Sequence, residues 1–111
     1  MPYSATITSA SAQAGLDAAW VYGLIRQESR FVPSARSGVG AAGLMQVMPG
    51  TARLVARKLG IAADSASVQG NVQLGTGYLA MLYEEFGGSA ALASAGYNAG
   101  PGRPRRWRNG A

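Results

Sequence analysis

The sequence predicts an all-α domain, on three observations. Apolar residues recur at helical spacing, as in Val21, Leu24 and Ile25 and again in Leu74, Tyr78, Leu82 and Phe86. No stretch sustains the alternation of β-branched residues that marks a strand. Glycine, 16 of 111 residues, clusters between the periodic segments and breaks them into separate helices.

Each element follows from local chemistry. The first clear helix is expected over 17–29, with Asp17 as its N-cap and Val21, Leu24, Ile25 and Glu28 on one face. Residues 30–43 carry a proline, two serines and several glycines, and read as an irregular loop. Leu44–Met48 is expected as a short helical turn. A second helix should start at Pro49, which suits a first helical position, and stop at Gly60, a natural C-cap. A third spans 68–86 and ends at Gly87-Gly88. Ser89 then caps a short helix over 90–96. The tail holds Arg103, Arg105, Arg106 and Arg108 around Trp107.

Composition narrows the function. A chain of 111 residues suits one domain, and 48% apolar residues is too many for disorder. The chain contains neither Cys nor His. Thiolate and imidazole zinc sites, cysteine nucleophiles, disulfides and Ser-His-Asp triads are therefore excluded. No cofactor or metal is expected. No apolar run approaches the roughly 18 residues of a membrane span, and residues 1–13 lack the pattern of a signal peptide. The net charge of +5, with nine Arg among ten bases, suits a polyanionic partner or simply solubility. The basic tail alone is a weak footprint for nucleic acid, and no nucleic-acid partner is expected. No strongly amphipathic basic helix suggests a membrane surface.

Carboxylate chemistry must come from Asp17, Glu28, Asp64, Glu84 and Glu85. Glu28 differs from the rest because it lies on the apolar stripe of its own helix. Burial disfavours its charged form and raises its pKa, which a general acid near neutral pH requires. The alternative is a helix-end carboxylate paired with Arg26 or Arg30. Asp17 reads as a cap, Asp64 as a loop residue, and Glu84 and Glu85 as water-facing.

The order of short motifs adds to this. Gln27-Glu28-Ser29-Arg30-Phe31 precedes Ser37-Gly38-Val39-Gly40-Ala41-Ala42-Gly43-Leu44-Met45-Gln46-Val47-Met48-Pro49. Asn71, Gly75 and Gly77-Tyr78-Leu79 follow, and then Tyr97-Asn98-Ala99-Gly100-Pro101-Gly102. This series resembles the catalytic domain of the soluble lytic transglycosylases, bacterial relatives of goose-type lysozyme. The resemblance implies a lysozyme-like helical fold with Gly-rich loops around a glycan cleft. It covers residues 14–108, so residues 1–13 are expected as a lead-in and 14–111 as the catalytic domain.

What the resemblance implies is specific. Such enzymes cleave the β-1,4 bond between N-acetylmuramic acid and N-acetylglucosamine in peptidoglycan without water, leaving a 1,6-anhydro sugar. Glu28 matches the carboxyl that serves first as acid and then as base. A single Glu used twice fits a chain with no obvious second acid, whereas two-carboxylate glycosidases need one. Tyr97 matches the tyrosine close to that carboxyl. Ser37, Gln46, Met48 and Asn98 match substrate-binding positions, and Tyr78 resembles a cleft aromatic. Each keeps a plainer alternative: a loop turn for Ser37, a turn residue for Asn98, and core for Met48 and Tyr78. Met45 reads as core. Gly40, Gly43, Gly100 and Gly102 suit backbone geometries closed to other residues.

The expected partner is the glycan strand of peptidoglycan, in the periplasmic or extracellular cell envelope, with the chain as a monomer. Three features depart from the family pattern. Gly96 stands in place of Ala, and Pro104 in place of an aliphatic residue. The chain also ends at Ala111, before a segment the family usually carries, which reads as a truncated or minimal domain. The competing functions are a lysozyme-like hydrolase on the same fold and a peptidoglycan-binding module that does not cut.

Overall fold

A computed structural model describes residues 3–100. Five helices occupy them: α1 (Ser4–Ala14), α2 (Ala18–Ser29), α3 (Pro49–Leu59), α4 (Val68–Glu85) and α5 (Ala90–Ala99). No strand occurs among the described residues. Extended pairing is limited to isolated bridges of Ala42 with Arg36 and with Val47. The all-α expectation therefore holds. The chain divides into two compact units, the first ending at Gly77 and the second beginning at Tyr78.

In the first unit, α1 is a helix where only a polar lead-in was expected. Its sequence offers one large apolar residue, Ile7, which is fully buried. Ala10 and Ser11 complete the buried face, one turn further on. Ser11 is silent as a polar residue because its hydroxyl donates to the Ile7 carbonyl at 2.7 Å. These small side chains let α1 pack against α2. Gly15, in the left-handed region, ends α1, and Leu16 N–H bonds back to the Ser11 carbonyl at 2.8 Å.

Helix α2 starts as expected. The Asp17 carboxylate accepts from Ala19 N–H at 2.8 Å. Val21, Leu24 and Ile25 are buried beneath it. Its end is unusual, because Arg30 and Phe31 both take positive φ, 53° and 63°. Ser29 holds that turn: its hydroxyl donates to the Ile25 carbonyl and accepts from Phe31 N–H, both at 3.2 Å. Phe31 then folds back toward Tyr22, with ring centroids 6.1 Å apart.

Helix α3 begins at Pro49 and ends at Gly60 in the left-handed region, as the sequence predicts. Its buried face is Ala52, Val55 and Ala56, while Arg53, Arg57 and Lys58 are exposed on the other side. α3 is thus amphipathic and basic, a pattern not recognised from the sequence. Helix α4 is entered through Ser67, whose hydroxyl accepts from Gly70 N–H at 3.0 Å. From Asn71 to Leu79 only Gln73 is not buried. Its glycines allow close approach: a Cβ at Gly77 would meet Val55 and Leu59 of α3.

The second unit holds the rest of α4 and α5. Gly87 and Gly88, both at positive φ, close α4 one residue earlier than expected. Ser89 caps α5 by accepting from Leu92 N–H at 3.1 Å. α5 continues to Ala99, beyond the expected end at 96. Gly102, Pro104 and the Arg/Trp tail lie outside the described residues.

Candidate functional site

Glu28 lies in the last turn of α2, one residue before the Ser29 hinge into the positive-φ pair. It is half-buried, and burial pushes its carboxyl pKa above the ordinary 4.5. Desolvation is the cause of that shift among the described residues. Arg26 and Arg30 are both exposed, and no ion pair or hydrogen bond reaches Glu28 among the described residues. The alternative of a paired helix-end carboxylate finds no support there. Strained backbone beside a half-buried acid is a common feature of functional sites.

The other acids differ. Asp17 caps α2. Asp64 is fully exposed, and the Ser67 hydroxyl first, then the N–H groups of Ser67 at 3.2 Å and Ala66 at 3.1 Å on its Oδ1, hold its pKa down. Glu84 is exposed, whereas Glu85 is half-buried and engaged with a neighbour rather than simply water-facing. Glu28 is half-buried, and its pKa is raised by burial, the direction a proton donor requires.

Residues 35–48 form one hydrogen-bonded loop that carries three of the expected binding residues. Ser37 Oγ accepts from Val39 N–H at 3.3 Å and Ala41 N–H at 3.0 Å. Those two bonds fill the acceptor capacity of the hydroxyl and leave its O–H to donate. Leu44–Met48 is not the helical turn expected. Instead Ala42 and Val47 exchange both backbone hydrogen bonds, at 3.2 and 3.0 Å, around a tight turn. Gln46 sits in that turn at φ 48°. Its Nε2 donates to the carbonyls of Ala35 at 2.9 Å and Gly43 at 2.8 Å. Its Oε1 accepts nothing among the described residues and is the acceptor it can offer a ligand. Met48 is half-buried at the N-cap of α3. Met45 is fully buried, as expected of core.

In the second unit, Tyr78 and Tyr97 are both buried, at 8% and 9% exposure. Their ring centroids lie 5.5 Å apart at 50°. Asn98 is exposed and belongs to the last turn of α5, not to a loop turn.

Asn71 carries no role in the sequence reading, yet the fold ties it to the loop that holds Gln46 and Met48. It is 1% exposed, and its side chain bonds to Ala42, Met45 and Ser65. The one sequence signal is a carboxamide early in an otherwise apolar stretch of helix. The first unit also has a shallow cavity of about 260 Å³ lined by Thr6, Ser9, Gln13, Gln69 and Gln73 among others. It contains no titratable group and none of the expected site residues, so the acid chemistry does not belong there.

The transglycosylase SLT domain family matches residues 5–111. The chain belongs to that family. Over 89 residues it is 45% identical to the soluble lytic murein transglycosylase of Escherichia coli strain K12, covering 76% of this chain and 14% of that protein. The X-ray structure of an inactive glutamate-to-glutamine mutant of lytic transglycosylase Slt from Pseudomonas aeruginosa superposes with a TM-score of 0.92. That likeness carries 43% identity and covers 100% of this chain and 19% of the other. The 70 kDa soluble lytic transglycosylase in complex with bulgecin A gives a TM-score of 0.89 at 34% identity, over 97% of this chain and 18% of that one. The chain thus spans less than a fifth of the length of these relatives. The family match begins at residue 5, within α1.

Proposed function

We propose that the chain acts on peptidoglycan as a lytic murein transglycosylase, cleaving the bond between N-acetylmuramic acid and N-acetylglucosamine without water. The observation that carries this is Glu28: half-buried, unpaired among the described residues, and raised in pKa by desolvation. Family membership supplies the substrate class. The inactive Pseudomonas aeruginosa mutant supports a glutamate as the essential group.

The steps balance with one carboxyl. Protonated Glu28 gives its proton to the glycosidic oxygen as the bond to C1 of the muramic sugar breaks. The resulting carboxylate then takes the proton of the C6 hydroxyl, whose oxygen bonds to C1. Glu28 is regenerated, no water is consumed, and the product is the 1,6-anhydro sugar. A raised pKa keeps the proton available for the first step, and a half-exposed position lets the carboxylate form for the second. Tyr97 assists this chemistry, and Ser37, Gln46, Met48, Tyr78 and Asn98 contact the glycan, on the strength of the motif resemblance. The setting for such a reaction is the bacterial cell envelope.

The test is digestion of purified peptidoglycan by the chain and by Glu28→Gln. The chain should release anhydromuropeptides, and Glu28→Gln should release none while remaining folded. Activity persisting in Glu28→Gln would remove Glu28 from the mechanism.

A further inference from the structure

Asn71 lies in the first turns of α4, yet its carboxamide makes three hydrogen bonds outside its own helix. Oδ1 accepts from Met45 N–H at 2.9 Å. Nδ2 donates to the carbonyls of Ala42 at 2.8 Å and Ser65 at 2.9 Å. Both amide protons are used, and the orientation is fixed. Exchanging O and N would set the NH₂ against an N–H and the oxygen against two carbonyls.

These contacts bracket one turn. Ala42 and Met45 flank Gly43 and Leu44, and the carboxamide pairs with them as the peptide group of an adjacent strand would. Ala42 is in turn paired with Val47 in both directions. Gly43 has φ +83°, and a Cβ there would run into the Asn71 side chain. Gln46, at φ 48°, is held by its own N–H and its Nε2, both on the Gly43 carbonyl. A non-glycine residue in that region persists only where its surroundings over-determine it. Asn71 grips the residue immediately before Gln46.

Resting on the reading of Gln46 and Met48 as glycan contacts, we infer that Asn71 is a positioning residue that fixes the turn Ala42–Val47 and thereby sets both side chains for the glycan. At 1% exposure it does not touch the substrate itself. Its charge-neutral contacts leave the proton chemistry of Glu28 alone, so its effect should fall on binding more than on turnover.

Asn71→Asp separates the two. It is isosteric and keeps the acceptor for Met45 N–H, but its second oxygen faces the carbonyls of Ala42 and Ser65, donating to neither when ionised and to one when protonated, so Asn71→Leu, which adds no charge, must reproduce the effect on KM. Kinetics use soluble glycan strands from purified peptidoglycan, at a temperature where circular dichroism shows the variant folded. KM should rise about tenfold, the scale of one or two lost hydrogen bonds, while kcat stays within about threefold of the parent. Amide exchange should quicken at Met45 and Val47 and stay unchanged at Ala93. A lower melting temperature with unchanged KM would make Asn71 merely structural and overturn the proposal, as would a fall confined to kcat. A parent chain that yields no anhydro product would overturn the functional reading and the positioning role with it. An active parent with unaltered KM in the variant overturns the positioning role alone. If Asn71→Asp does not fold, hydrogen exchange in the parent decides. The Asn71 side-chain protons and Met45 N–H must then exchange in one opening event, and independent exchange contradicts the proposal.

Discussion

Gly75→Ala tests the packing that holds the candidate loop against α4. Gly75 is buried in α4, and a Cβ there would stand 2.6 Å from the Met45 Cβ and 2.9 Å from its Cε, with the sulfur nearer still. Met45 has nowhere to go. It is fully buried, and its N–H is bonded to Asn71 at 2.9 Å. Overpacking of this kind costs about 1–3 kcal/mol. Ala gains about 1 kcal/mol over Gly in a helix interior. The net loss should be up to about 2 kcal/mol, or up to roughly 15 °C in melting temperature for a domain of this size. Gly23→Ala is the control. Gly23 is helical and exposed, and a Cβ there meets nothing within 4 Å. That variant should gain up to about 1 kcal/mol from helix propensity alone. Thermal melts by circular dichroism of the parent and both variants decide the matter. If Gly75→Ala and Gly23→Ala rise together, Met45 is not fixed against α4 and the account of the loop fails.

Two further expectations concern the acid and its neighbour by resemblance. The pKa of Glu28 is raised from 4.5 by burial, so its native state holds the proton more tightly than the unfolded chain does. Its contribution to stability is fully present below the unfolded pKa and is lost as pH rises through the folded one. Glu28→Gln should therefore melt at the same or higher temperature at pH 7, with the difference shrinking at pH 4. A clearly less stable variant at pH 7 would make Glu28 a structural carboxylate. Tyr97→Phe should lower kcat by up to about 100-fold, the scale for losing one donor to developing charge, and change KM less. Unchanged kcat would assign Tyr97 to its packing against Tyr78.

Local signals were legible in the sequence because they act within a few residues. Asp17, Pro49, Gly60 and Ser89 each mark a helix end through a bond or a φ value inside one turn. Glu28 stands out as a candidate because a carboxylate on an apolar stripe is a conflict between pattern and chemistry, and the motif resemblance rather than the pattern gives it a catalytic role. α1 was not, since its buried face of Ile7, Ala10 and Ser11 carries too little apolar signal to show a period. Asn71 has no legible role within its motif, because its partners Met45 and Ala42 lie 26 and 29 residues away. Leu44–Met48 reads as a helical turn because nothing local shows that Gln46 takes a positive φ. Ser37 was recognised as a candidate, but the two amides that occupy its oxygen emerge only from the folded loop.

The most direct test of the central claim is the mass of the muramic ends released from purified peptidoglycan. One carboxyl acting as acid and then base, with the sugar's own hydroxyl as nucleophile, gives 1,6-anhydro ends that lack one water. Reducing muramic acid ends as the major product would mean that water is the nucleophile, and would contradict the mechanism assigned to Glu28.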